Sequence, residues 1–232
     1  MKLCIALDMD SRDCNLALAR EIKDSFKEKC ADIWLKVGLN AFIRDGISFV
    51  QDLQNLGFRI FLDLKLYDIP NTMLNAIKEM DKLCVDMATI HASSGLKAMK
   101  SIAQYLRENN SKMKVIAVSA LTSFDNEMFS QIYNASIESS VRNFANIVYK
   151  SGLDGLVCSI SEVEIIKNIS PSLLCVTPGI RLDSIESSDD QERIATPKIA
   201  REKGSDFIVV GRPIYHAKDK IKVIESILKE IK

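Results

Sequence analysis

Two histidines in 232 residues, His91 and His216, share no short ligand spacing and leave little from which to build a His-based metal centre. The six cysteines (Cys4, Cys14, Cys30, Cys84, Cys158 and Cys175) are scattered without a C-x-x-C pair. Several fall in apolar runs, where cysteine acts as a small hydrophobe, and they read as reduced thiols of a cytoplasmic protein. Charge of one sign is also lacking: 31 basic residues balance 31 acidic ones, so there is no surplus to hold nucleic acid or an anionic membrane, and a small-molecule partner is favoured. No long hydrophobic run is present. Met1–Leu7 starts as a signal peptide does, but Asp8 and Asp10 interrupt it far short of a signal core or a membrane span, and it reads as a first strand. Only five prolines and nine glycines punctuate the chain, with no linker, low-complexity tract or short-period repeat. Residues 1–232 therefore read as one domain.

What the chain does have is a 47% hydrophobic content arranged in eight short apolar runs. These are Leu3–Leu7, Ile33–Val37, Ile60–Leu64, Met87–Ile90, Val115–Val118, Gly155–Cys158, Leu173–Val176 and Phe207–Val210. Apolar residues on consecutive positions suit strands covered on both faces, as in parallel sheets with crossover helices. The stretches between carry helical stripes: Leu16, Ala19, Ile22 and Phe26; then Phe42, Ile43, Ile47, Val50 and Leu53, ending before Gly57; then Met73, Leu74, Ile77 and Met80, started by Pro70-Asn71. Eight such units close a (β/α)8 TIM barrel, and the length fits one. An open doubly wound sheet satisfies the same alternation.

The polar residues stand where the apolar runs stop. Asp8 follows the first run, Lys36 closes the second, Asp63 and Lys65 close the third and His91 follows the fourth. Arg181 lies beyond the seventh run and Gly211-Arg212 beyond the eighth, so in a barrel all of them meet at the C-terminal rim. Asp63 and Lys65, two apart, point to one side of a strand, with Asp68 in the loop beyond. Such a triplet is also what a surface ion pair followed by a turn looks like. A lysine ending so apolar a strand is partly enclosed, however, and an enclosed charge has to be paired. Lys36 can complete an alternating Lys-Asp-Lys-Asp chain, in which opposite charges about 4 Å apart attract by roughly 4 kcal/mol at an effective dielectric near 20. Thr177–Arg181 and Gly211-Arg212-Pro213 occupy the loops that commonly bind phosphate in this architecture, and the polar stretch Leu182–Arg193 between them has the composition of a lid or of an ordinary solvated loop. His91 reads as structural, or as lining a pocket, and Trp34 as core.

At Phe61–Thr72 the sequence closely resembles the D-x-K-x-x-D-I-P-N-T signature of the orotidine 5'-monophosphate decarboxylases. The blocks Ala6–Asp8, Leu35–Gly38, Ile90–Ser93, Leu121–Ser123, Gly152–Ser159, Thr177–Arg181 and Val210–Pro213 resemble the bacterial members in the same order, over essentially the whole chain. The resemblance implies that Lys65 is the proton donor within a catalytic set of Lys36, Asp63, Lys65 and Asp68. It implies that Asp8 and Lys36 hold ribose, that Thr122 and Ser123 lie by the pyrimidine, and that Arg181, Gln191, Gly211 and Arg212 hold phosphate. Asp68 and Thr72 would serve the neighbouring subunit's site in a homodimer. The reaction so implied turns orotidine 5'-monophosphate into uridine 5'-monophosphate, the last step of de novo pyrimidine nucleotide synthesis, with no metal and no cofactor. Two other readings stay open: a magnesium-dependent sugar-phosphate decarboxylase or aldolase of the same suprafamily, which shares D-x-K-x-x-D but lacks I-P-N-T, and a non-catalytic nucleotide-binding barrel. Retention of both lysines and both aspartates argues against the last, since binding alone needs no proton donor.

Overall fold

The computed structural model describes residues 1–182 and 195–232, without the side chains of residues 28, 29 and 31. Each apolar run forms a strand: β1 Lys2–Ala6, β2 Ile33–Gly38, β3 Arg59–Leu66, β4 Met87–His91, β5 Lys114–Val118, β6 Gly155–Val157, β7 Leu174–Thr177 and β8 Phe207–Val210. The strands are all parallel and close in sequence order, β8 pairing back onto β1, so the (β/α)8 barrel is the architecture and the open sheet is excluded. Around it run α1 Arg12–Phe26, α2 Leu39–Asn55, α3 Pro70–Lys82, α4 Gly95–Glu108, α5 Asn126–Tyr133, α6 Ile137–Ser151, α7 Val163–Ile169, α8 Pro197–Lys203, α9 Arg212–Tyr215 and α10 Lys220–Glu230. Local chemistry marks the ends: Ser11, Asp125, Ser136, Thr196 and Asp219 each cap a helix by accepting a backbone N–H, and Pro70 and Pro197 occupy first turns.

Consecutive apolar residues are divided between two cores. Leu3, Ile5, Leu35, Val37, Ile60, Leu62, Ala88 and Ile90 face outward against the helices, while Cys4, Ala6, Trp34, Phe61, Met87, Ile116, Val176, Phe207 and Val209 fill the barrel. Because the side-chain period of a strand is two, the next inward position above this plug falls on Asp8, Lys36, Asp63 and Thr89, at the ends of four adjacent strands.

One helix departs from its predicted stripe. Val50 and Leu53 are buried, but Ile43 is 79% exposed and Ile47 is 53% exposed. Gly46, at φ 67° and ψ −162°, breaks α2 between them, so the two halves present different faces to the barrel and the apolar spacing is not one stripe. The six cysteines are unpaired, and Cys4, Cys30, Cys158 and Cys175 are buried. No helix among the described residues is long and apolar enough to cross a membrane.

Candidate active site

Above the apolar plug the barrel opens into a cavity of about 230 Å³ on its C-terminal side. A row of alternating charge forms part of its wall. Lys36 Nζ lies 3.5 Å from Asp8 Oδ2 and 3.6 Å from Asp63 Oδ2, and Lys65 Nζ donates to both oxygens of Asp63 at 2.9 Å. Two cations and two carboxylates cancel, so each charge keeps a partner after losing water. Burial opposes ionisation of Asp63, but Lys36, Lys65 and the hydrogen bonds from Lys65 and Thr89 outweigh it and hold the carboxyl below its ordinary range. Burial likewise opposes the charge on Lys36, and Asp63 and Asp8 together raise its pKa above the ordinary lysine value. At neutral pH both remain charged. A Cβ at Gly38 would stand 3.1 Å from Asp8 Oδ1 and from Lys36 Nζ, so glycine at the end of β2 leaves room for this pair.

Lys65 reaches Asp63 by a route that strand alternation does not describe. Leu62 pairs with Ala88 and the next pair is Leu66 with Ile90, so β3 advances four residues while β4 advances two. The excess is a bulge, and within it Lys65 takes a left-handed backbone, φ 49°, at a cost of about 1–3 kcal/mol for a residue other than glycine. Thr89 on β4 compensates: its Oγ accepts the Lys65 N–H at 2.9 Å and donates to Asp63 Oδ1 at 2.8 Å.

On the far side of β1 the cavity is lined by Arg181, Gly211 and Arg212, and between the two ends by Val118, Val157, Val176 and Pro178. A Cβ at Gly211 would come within 3.3 Å of Ala6 and of the Tyr215 ring, which explains the need for glycine at this close approach. The chain returns to the rim through a backbone ladder, Arg181 N–H to Ala195 O at 2.9 Å and Ala195 N–H to Gly179 O at 3.1 Å. Cations at one end, an apolar middle and a neutralised charge row at the other end suit a flat heterocycle carrying a phosphate.

Of the residues singled out from sequence, Asp8, Lys36, Asp63, Lys65, Thr122, Arg181, Gly211 and Arg212 all line this cavity. Ser123 is exposed and does not, and Gln191, with residues 183–193 of the expected lid, lies outside the described residues. Asp68 does not join the charge row of its own chain. It stands exposed in the loop after β3, its carboxylate accepting the Ile69 N–H, and Thr72 is exposed at the start of α3. Within one chain the alternation thus runs Asp8, Lys36, Asp63, Lys65. His91 is half-buried, its Nδ1 3.1 Å from Ser93 Oγ and its ring 5.4 Å from Tyr67; burial, then the Lys65 charge, lowers its pKa and leaves it neutral at pH 7. Sequence reasoning missed Thr89, which looks like any β-branched strand residue, and Tyr215, whose only signal is its place three residues after Arg212.

The sequence model of the orotidine 5'-phosphate decarboxylase / HUMPS family matches residues 1–227. A Campylobacter jejuni protein named orotidine 5'-phosphate decarboxylase is 51% identical over 233 residues and covers all of both chains; one of that name from a Nitratiruptor species is 50% identical over 234 residues, again with both chains covered. The crystal structure of orotidine 5'-phosphate decarboxylase from Lactobacillus acidophilus superposes with a TM-score of 0.83 at 36% identity, covering 100% of this chain and 99% of that one. With the barrel, the charge row and the full-length likeness in agreement, the chain belongs to the orotidine 5'-phosphate decarboxylase / HUMPS family.

Proposed function

We propose that the protein decarboxylates orotidine 5'-monophosphate to uridine 5'-monophosphate without metal or cofactor, as a cytoplasmic homodimer whose sites are each built from both chains. The observation that carries this reading is the Lys65 ammonium held on both oxygens of Asp63 at the end of a neutralised charge row whose inner members, Lys36 and Asp63, are buried. The relatives' shared name supports the substrate. Arg181 and Arg212 take the phosphate, Asp8 and Lys36 the ribose, and the pyrimidine lies against Val118, Val157 and Val176 with Thr122 beside it. The bond from C6 to the carboxylate breaks, its electron pair stays on C6 in the ring plane, and carbon dioxide leaves beside Asp63. Lys65 faces the developing charge, stabilises it, and transfers a proton to C6, regaining one from solvent. Release of one carbon dioxide per uridylate formed tests the proposal; a folded protein that releases none would refute it.

Residues left over by a single chain support the dimer. Asp68 and Thr72 are exposed near the rim, and so are five large apolar side chains, Leu39, Ile43, Ile47, Tyr67 and Ile69, on the first half of α2, the turn beyond its break and the loop after β3. A two-fold interface there covers them and presents Asp68 and Thr72 to the partner's cavity. The absence of disulfides among six cysteines supports the cytoplasm as location.

Arg212→Ala removes charge-assisted donors, each worth about 1.5–3 kcal/mol, and is expected to raise KM by ~10- to 100-fold with a smaller change in kcat. Steady-state kinetics with orotidylate check it, and unchanged kinetics would put the phosphate elsewhere.

A further inference from the structure

We propose that Thr89 is a positioning residue for the decarboxylation, its single hydroxyl fixing both the backbone that carries Lys65 and the carboxylate that orients the Lys65 ammonium. The inference rests on the assignment of Lys65 and Asp63 to the chemistry. Thr89 occupies the inward position of β4 above Met87, level with Asp63, and is fully buried. Its Oγ is 2.9 Å from the Lys65 nitrogen and 2.8 Å from Asp63 Oδ1. A backbone N–H can only donate and a carboxylate can only accept, so the direction of both bonds is determined: the hydroxyl hydrogen points at Asp63 and a lone pair at Lys65.

Three features make the arrangement more than a satisfied core threonine. Lys65 sits in the bulge, where β3 advances two residues more than β4, and its N–H goes to the side chain of Thr89 in place of a ladder carbonyl. Its backbone is left-handed, a conformation that persists only where the surroundings hold it. The same Asp63 oxygen that receives Thr89 also receives Lys65 Nζ, at 2.9 Å, so rotation of the carboxylate would displace the ammonium. Each bond polarises the other, and the burial of the hydroxyl keeps water from replacing it. Valine has nearly the same shape but neither bond, and serine keeps both while losing a methyl group.

The experiment compares Thr89→Val, Thr89→Ser and Lys65→Ala in the full-length protein, measuring kcat and KM for orotidylate and the thermal unfolding midpoint. Thr89→Val is expected to lower kcat by ~10- to 100-fold, the scale of a misplacement of about 1 Å, with KM within about threefold. Thr89→Ser is expected to stay within about threefold of wild type in both constants, because the hydroxyl geometry survives. A packing role gives the reverse order, since valine keeps the volume. Thr89→Val at wild-type kcat, or Thr89→Ser as damaged as Thr89→Val, overturns the inference. If Thr89→Val does not fold, Thr89→Ala replaces it, and the ratio of Thr89→Ser to Thr89→Ala, which differ in the hydroxyl alone, decides. Lys65→Ala separates the levels: an inactive Lys65→Ala beside a fully active Thr89→Val removes Thr89 only, whereas an active Lys65→Ala removes the assignment of Lys65 and this inference with it.

Discussion

Lys65→Ala is expected to lower kcat by ~10⁴-fold or more, combining loss of the proton donor with loss of the cation that faces the developing anion. The fold should survive. Asp63 keeps Lys36 at 3.6 Å and the Thr89 hydroxyl at 2.8 Å, so its buried carboxylate is not left unpaired. The substitution also removes the long side chain from a left-handed position without demanding a new conformation, since alanine meets the same backbone restriction as lysine. Circular dichroism and thermal unfolding establish that the variant is folded, and steady-state kinetics with orotidylate measure the loss. Residual kcat within about tenfold of wild type would remove Lys65 from the donor role.

Mixing two nearly inactive variants is expected to restore activity. If Asp68 serves the partner's site, Lys65→Ala and Asp68→Ala are defects of different chains at any one site. In a hybrid dimer one site inherits both defects, while the other receives Lys65 from one chain and Asp68 from its partner and is intact. Random exchange makes about half the dimers hybrid and leaves half of their sites intact, so roughly a quarter of wild-type activity should appear. The geometry motivates the test: Asp68 is exposed and bonded to the Ile69 N–H, away from the Lys65 ammonium that sequence spacing would pair it with. Activity that fails to rise despite verified subunit exchange would return Asp68 to its own chain's site.

Much of the barrel is legible in the sequence because a parallel strand buried on both faces must be apolar on consecutive residues. The eight runs locate all eight strands with ends displaced by at most two residues. The displacement of two is at β3, which continues past the apolar run through Lys65 to Leu66. There the polar residues belong to the strand, and hydrophobicity cannot report a bulge held by a threonine on the next strand. Alternation does bring Asp63 and Lys65 together in outcome, but a left-handed backbone achieves it, and that conformation carries no signature in a lysine. Ile43 and Ile47 show the opposite failure. Their spacing fits a buried stripe, yet both are exposed, and the helix that carries them is interrupted between them at Gly46. The rim rule collects Asp8, Lys36, Asp63, Lys65, Arg181 and Arg212 correctly because strand ends in a closed barrel converge whatever the loops do. It cannot say which residues of the loops and helix starts stay out of their own cavity, as Asp68, Thr72 and Ser123 do.

Among the described residues no group of three or more His, Cys, Asp or Glu side chains stands together as a metal site. The row on which the chemistry is placed consists of two lysines and two aspartates that already neutralise one another. The most direct measurement follows from this: the ultraviolet absorbance of orotidylate during incubation with purified protein in the presence of excess chelator. The account predicts conversion to uridylate at the same rate with and without chelator. Conversion that stops in chelator and returns with magnesium, or a protein that leaves orotidylate unchanged under both conditions, would contradict it.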